Sequence, residues 1–243
     1  MRLLVTRPAE EAARTAARLS ALGHVAVLAP MLRYEPLPLP ATTSRPAALA
    51  LTSARAVEAI GGPDALPGTA GVPLFCVGET TAAAARAAGF ADIRVGAGGA
   101  TALARGIAAA ISPDRGPILY AAARERTGDL EAELVRLGHV VDIVEVYRMA
   151  AETALPPEVA AAIGGGMLDG VLAYSRRTTQ ALVACAETAG LGAALRRVPL
   201  FALSAAVAAG LGFERVSVAA APDESALLAM LEGEGGTSAA GMD

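Results

Sequence analysis

An internal repeat constrains this chain more than any other feature. Leu22-Gly23-His24 returns in the second half as Leu137-Gly138-His139, and each copy closes the same pattern. LLVTRPAEEAARTAARLSALGHVAVLAPMLR aligns with ILYAAARERTGDLEAELVRLGHVVDIVEVYR. Both read as an apolar strand, a polar turn, an amphipathic helix ending at a glycine, and a second apolar strand. A second pattern also recurs. ALALTSARAVEAI aligns with GVLAYSRRTTQAL, placing Ser53 on Ser175 and Arg55 on Arg177, and VPLFCVGETTAAAA aligns with VPLFALSAAVAAGL. The patterns follow one another as first, second, first, second, so the fold is assembled from recurring supersecondary blocks.

Within each copy, short runs of β-branched residues and Leu alternate with Ala-rich segments of helical period. This is the signature of βαβ units and of parallel sheets. Strands are predicted near 2–6, 25–29, 48–52, 73–77 and 92–95, with helices over 8–22, 54–61, 80–88 and 100–111, all repeated in the second half. Pro8 suits a first helical position, while Gly23, Gly89 and Gly138 suit the left-handed residue after a helix. The predicted class is α/β, with two doubly wound parallel-sheet lobes. Residues 31–40 (MLRYEPLPLP) and 144–150 (VEVYRMA) read as inter-lobe connectors, 61–71 as a Gly/Pro loop, and 233–243 (GEGGTSAAGMD) as a disordered tail.

Composition removes several functional classes. The 243 residues are 54% hydrophobic, carry a net charge of -4, and include no Trp. With aromatic residues at only 3%, few platforms exist for stacking bases, so nucleic acid is not an expected partner. All 20 basic residues are Arg. Much of that bias is what a GC-rich genome produces, but it has a chemical consequence: no lysine is present for a Schiff base, a pyridoxal phosphate or a Walker-type loop. Cys76 and Cys185 sit in apolar contexts and read as buried small hydrophobes in a reducing compartment. Charges within the first dozen residues leave no signal-peptide core, and no apolar run is long enough to span a bilayer. The expectation is a cytoplasmic protein that makes no use of a membrane, and no coiled-coil signal calls for anything beyond a monomer.

Two His and two Cys never fall at metal-ligand spacing. His24 and His139 occupy one repeat position, which points to a scaffold role and away from a His-based triad. Gly96 to Gly99 (GAGG) lacks the dinucleotide fingerprint. Strand ends are more informative, because open parallel sheets bind ligands beyond the carboxyl ends of their strands. Thr6-Arg7, Thr52-Ser53-Ala54-Arg55, Gly78-Glu79-Thr80-Thr81 and Tyr174-Ser175-Arg176-Arg177 each put a hydroxyl at a helix start, where free amides and the helix dipole hold an anion. Ordinary N-capping is the other use of such hydroxyls, and each site taken alone favours it. Gly78 lets a ligand approach the backbone. Arg124 and Arg126 lie in the turn equivalent to that of Arg7, suited to carboxylates or to solvated ion pairs. Tyr147 sits in the second connector.

The order of VTRP, LTSARAVEAI, VGETTAAAARAAGF, ILYAAARERTGDLEAELVRLGH and VEVYR resembles the uroporphyrinogen-III synthase family along nearly the whole chain. That resemblance implies a bilobed fold with a discontinuous first lobe, 1–34 plus 152–243, a second lobe over 37–147, a two-stranded β hinge and a ligand cleft between the lobes. It also implies cyclisation of the linear tetrapyrrole hydroxymethylbilane to uroporphyrinogen III, with loss of water and inversion of ring D, without cofactor or metal. A transient contact with hydroxymethylbilane synthase is left open.

By the same resemblance Tyr147 matches the hinge tyrosine and is the candidate proton donor; an unperturbed phenol, of pKa about 10, is protonated at neutral pH. Thr81, Ser53 and Ser175 match substrate-binding hydroxyls. Thr6, Gly78 and Thr80 join them from the strand ends, with Arg7, Arg55, Arg124, Arg126 and Arg177 as charge partners. The C-terminal lobe departs from the family, since Ser204-Ala205-Ala206-Val207 stands where G-x-T-T is expected. Binding there then rests on Ser204 and backbone amides. With preorganisation spread over many contacts, no single residue is expected to be indispensable. The competing reading is a non-catalytic two-lobed module that binds an anion or tetrapyrrole unchanged.

Overall fold

The computed structural model describes residues 1–39, 41 and 45–234. The elements run β1 (Arg2–Val5), α1 (Ala9–Ala21), β2 (Val25–Leu28), β3 (Leu32–Pro36), β4 (Ala48–Leu51), α2 (Ala54–Ile60), β5 (Leu74–Cys76), α3 (Glu79–Ala87), β6 (Ile93–Val95) and α4 (Ala100–Ala110). After a single 3-10 turn follow β7 (Ile118–Ala123), α5 (Asp129–Arg136), β8 (Val141–Ala151), α6 (Pro157–Gly164), β9 (Gly170–Ala173) and α7 (Arg176–Thr188). The chain continues with α8 (Gly192–Arg197), β10 (Leu200–Ala202), α9 (Ala205–Ala208), β11 (Val216–Val218) and α10 (Glu224–Glu234). Pro8 is the residue before α1, one position outside the helix. Gly233 and Glu234, expected in the tail, close α10, while Pro40 and 235–243 lie outside the described residues.

The chain divides into unit 1, Met1–Arg33 with the segment from Ala150 onward, and unit 2, Tyr34–Met149. The five-stranded sheet of unit 1 has the order β2-β1-β9-β10-β11, with every pair parallel. The six-stranded sheet of unit 2 has the order β6-β5-β4-β7-β8-β3, parallel from β6 through β8. Each sheet therefore joins a first-pattern strand to a second-pattern strand at its middle, β1 beside β9 and β4 beside β7. At those two places the strand order reverses, and a crevice opens beyond the strand carboxyl ends.

Strands buried on both faces explain the uninterrupted apolar runs. In β1, Leu3 and Val5 join Leu19, Leu227 and Leu228 of α1 and α10, whereas Leu4 packs on the other face with Val159 of α6 and Leu182 of α7. In β4, Leu49 and Leu51 meet Val57 and Ile60 of α2, while Ala48 and Ala50 face Leu103 and Ile107 of α4.

The Leu-Gly-His repeat has a mechanical cause. Gly23 N–H donates to Ser20 and His24 N–H to Leu19, closing α1; Gly138 N–H donates to Val135 and His139 N–H to Leu134, closing α5. Both are the two-bond Schellman stop, which needs a left-handed residue between helix and strand. The glycines supply it at φ 77° and 87°. The histidines then diverge. His24 Nδ1 lies 3.3 Å from the N-terminal amine, while His139 is buried with neither ring nitrogen partnered among the described residues.

Candidate active site

At the β4/β7 reversal of unit 2, a cavity of about 270 Å3 is lined by residues that include Thr52, Ser53, Tyr120, Glu125, Arg126 and Tyr147. Three sequence-predicted site residues, Ser53, Arg126 and Tyr147, thus meet in one place. Tyr147 reaches it through a register shift. Ala122 pairs with Glu145 but Ala123 pairs with Tyr147, so Val146 is an extra residue in β8. Consecutive strand residues normally face opposite sides. Here Val144, Val146 and Tyr147 all belong to the same buried cluster, which only the bulge permits. The Tyr34 ring of β3 supports Tyr147, with centroids 5.5 Å apart and a 40° tilt.

Among the described residues the Tyr147 hydroxyl takes part in no hydrogen bond, whereas Tyr120 OH lies 2.9 Å from Thr52 Oγ1. Burial pushes the Tyr120 phenol up, opposed by its hydrogen bond with Thr52, so Tyr120 stays protonated at neutral pH. Ser53 caps α2, its Oγ accepting from Arg55 N–H at 3.2 Å, and its own proton finds no acceptor among the described residues. Its repeat equivalent differs. Ser175 Oγ accepts from Thr178 N–H at 3.2 Å and lies 2.9 Å from Thr178 Oγ1, whose own proton goes to the Ser175 carbonyl. The Ser175 proton is therefore held within the cap.

The arginines of this site face acidic neighbours. Arg126 Nε donates to Glu131 at 2.7 Å, and its Nη1 donates to the carbonyls of Ala123 and Arg124 and to Glu145. Arg124 Nε donates to Glu145 at 2.8 Å. That bond, opposed by partial burial and aided by Arg126, holds the Glu145 carboxyl below the usual range. Nearby, Arg55 Nη1 approaches Met149 Sδ at 3.7 Å. At the next strand end Gly78 precedes α3, and a side chain there would meet nothing within 4 Å, so the backbone is open to a ligand. Thr80 is exposed, while Thr81 turns into the core.

The β1/β9 reversal of unit 1 is occupied from within. Glu224, the first residue of α10, puts Oε1 3.0 Å from Arg7 Nη1, 2.6 Å from Thr15 Oγ1 and 2.9 Å from Tyr174 OH, and Oε2 2.7 Å from Arg18 Nη1. The Arg7 guanidinium stacks 4.3 Å from the centre of the Tyr174 ring. Burial works against the Glu224 charge, but hydrogen bonds from Thr15, Tyr174 and Arg18 and the charge of Arg7 hold its pKa below the usual range. Burial, reinforced by Glu224, pushes the Tyr174 phenol strongly up. Thr6 is fully buried with its hydroxyl unpartnered among the described residues, Arg177 is half-buried, and Ser204 precedes the four-residue α9 without a side-chain cap. Sequence reasoning did not single out Thr15, Arg18, Tyr120 or Glu224. Of these only Thr15 left a local trace, as a polar residue on the apolar face of α1.

Among the described residues no three His, Cys, Asp or Glu side chains are placed to hold a metal, and no helix is long and apolar enough to cross a membrane. A family model described as HEM4, uroporphyrinogen-III synthase HemD, matches residues 13–229. No curated protein matches at a significant level. Among solved structures, uroporphyrinogen-III synthetase from Helicobacter pylori superposes with a TM-score of 0.59 at 15% identity, covering 96% of this chain and 100% of that one. A mutant uroporphyrinogen III synthase from the extreme thermophile Thermus thermophilus gives a TM-score of 0.49 at 18% identity, covering 97% of each chain. The likeness to the Helicobacter pylori structure shows the fold, and the family model, spanning most of the sequence, shows the lineage: the chain belongs to the uroporphyrinogen-III synthase family.

Proposed function

We propose that the unit 2 crevice carries the chemistry of this family and that Tyr147 is its proton donor. The reaction is cyclisation of hydroxymethylbilane to uroporphyrinogen III, with loss of water and inversion of ring D. Departure of the hydroxymethyl oxygen needs a proton and leaves a reactive azafulvene. The substituted α-carbon of ring D attacks it, and the resulting spiro intermediate reopens and recloses with ring D inverted. In water the same bilane closes without inversion, so much of the work is conformational: the substrate is held in the productive arrangement.

The observation that carries the assignment is the Tyr147 hydroxyl, which the β8 bulge places on the cavity without any internal partner among the described residues. A phenol whose proton is committed to no other group is suited to general-acid work. Ser53, Arg55, Gly78, Thr80, Arg124 and Arg126 are the contacts we assign to substrate carboxylates in unit 2, through free hydroxyl protons, open backbone and guanidinium edges.

The test is the isomer ratio of uroporphyrinogen formed from freshly generated hydroxymethylbilane, read by chromatography after oxidation. Isomer III is expected to predominate with the protein, and Tyr147→Phe to lower kcat by about a hundredfold, the scale of a lost general acid. Isomer I alone, at the uncatalysed rate, would refute the enzyme reading and leave a tetrapyrrole-binding module. Isomer III at an unchanged rate from Tyr147→Phe would remove the donor role from this residue.

A further inference from the structure

We propose that the Thr52–Tyr120 hydroxyl pair is a binding element for a carboxylate of the tetrapyrrole. This inference rests on the functional reading above and extends it to two residues that the reading does not use. Thr52 follows β4 and Tyr120 lies in β7, so the pair bridges the two strands between which the sheet order reverses. Both line the cavity that Tyr147 and Ser53 also line.

A proton count supports the assignment. Two hydroxyls carry two protons, and their mutual bond at 2.9 Å uses one. No other hydrogen bond engages either hydroxyl among the described residues. Whichever group donates, one proton and several lone pairs remain for a ligand.

The rest of the lining explains why neutral donors matter here. Glu125, Asp129 and Glu131 also border the cavity, and their negative charge opposes a carboxylate. Each already has a partner within the protein. Met149 N–H donates to Glu125 at 3.0 Å, Thr127 Oγ1 to Asp129 at 2.7 Å and Arg126 Nε to Glu131 at 2.7 Å. With Nε and Nη1 of Arg126 and the Thr127 hydroxyl committed to acids and nearby carbonyls, the hydroxyls of Ser53, Tyr147 and the Thr52–Tyr120 pair join Arg126 Nη2 in facing the ligand. Tyr120 is well suited to donate without ionising, because it belongs to the same buried cluster as Leu103, Leu130 and Leu134 and burial keeps the phenol neutral.

The product retains every carboxylate of the substrate but not its hydroxymethyl group, and this separates a carboxylate contact from a contact to the reacting oxygen. Wild type, Tyr120→Phe, Thr52→Val and Thr52→Ser are compared by calorimetric titration with uroporphyrinogen III under reducing conditions, and by steady-state kinetics on hydroxymethylbilane. All are measured well below the lowest midpoint found by thermal unfolding. Tyr120→Phe is expected to weaken product binding and raise KM by about tenfold, the loss of one hydrogen bond to a charged group. Its kcat should change less than about threefold, because the contact is made equally to bound substrate and transition state. Thr52→Val should follow in the same direction, and Thr52→Ser, which restores the hydroxyl, should bind as wild type does. Unchanged product affinity in Tyr120→Phe and Thr52→Val, whatever their thermal midpoints, overturns the proposal, and so does a loss confined to kcat. Failure of wild type itself to produce isomer III would instead sink the functional reading on which the proposal rests.

Discussion

Replacing Glu224 should destabilise unit 1 by an amount that its surroundings allow us to work out. In Glu224→Ala the Thr15 hydroxyl, on a residue wholly removed from solvent, and the Tyr174 hydroxyl both lose their acceptor. Orphaning two largely buried donors costs about 1–2 kcal/mol each. Arg7, with its side chain 25% exposed, loses a partly screened ion pair, and Arg18, at 42%, loses one worth little. The total is roughly 3–4 kcal/mol. In a unit of this size that lowers Tm by about 10–15 °C, measured by far-ultraviolet circular dichroism. Hydrogen exchange should show α10 opening first.

Glu224→Gln keeps the shape and removes the charge, which adds a signature in pH. The folded-state pKa of Glu224 is depressed, so its stabilisation is complete above the unfolded carboxylate pKa of about 4.3 and is lost as pH falls through the lower folded value. The gap in Tm between wild type and Glu224→Gln should be widest at neutral pH and close on acidification. A Gln variant as stable as wild type at neutral pH, or a gap that does not change with pH, would refute the reasoning.

Two other perturbations test the core. Gly170→Ala in β9 puts a methyl about 2.5 Å from Phe201 Cε2 and 3.0 Å from Leu3 Cδ2, and should destabilise unit 1 by about 1–3 kcal/mol in chemical unfolding, the usual cost of overpacking. Burial pushes the Cys76 thiol up to about 11, and Cys185 is likewise buried with its thiol donating to the Glu152 carbonyl at 3.2 Å. Neither should be alkylated by iodoacetamide at mildly alkaline pH in the native protein, and both should react once it is unfolded, as counted by mass spectrometry.

The parts of the fold legible in the sequence are those written locally. Strands covered on both faces appear as apolar runs, and the Gly23 and Gly138 helix stops recur because one backbone geometry demands one residue type. The β8 bulge is not legible. VEVYR looks like plain alternation, and only the register against β7 shows that Val146 is extra and Tyr147 turns with it. Glu224 escaped for another reason. It meets Arg7 across 217 residues and Thr15 across 209, and a contact of that range leaves no periodicity to read. Tyr120, in the run ILYAAA, reads as a core aromatic, and most of it is; only its hydroxyl, beside Thr52, belongs to the site.

These differences set the two strand-order reversals apart chemically, although the same two repeat patterns build both. In unit 1 the anion position is filled by the protein's own carboxylate, with Arg7, Arg18, Thr15 and Tyr174 all turned toward Glu224. The nearby Ser175 proton is held within its own cap. A ligand carboxylate arriving there would have to displace a group that four donors already hold. In unit 2 the acids at the cavity are tied to their own partners, while among the described residues Ser53 and Tyr147 keep free hydroxyl protons and the Thr52–Tyr120 pair keeps one. The Ser204-Ala205-Ala206-Val207 segment points the same way, since it offers one hydroxyl where its repeat equivalent in unit 2, Gly78-Glu79-Thr80-Thr81, offers two. Substitutions that spare folding should therefore lower kcat/KM far more at Tyr147, Tyr120 or Ser53 than at Ser175 or Ser204. Equal losses at Ser53→Ala and Ser175→Ala, in variants of matched thermal stability, would contradict this division of labour.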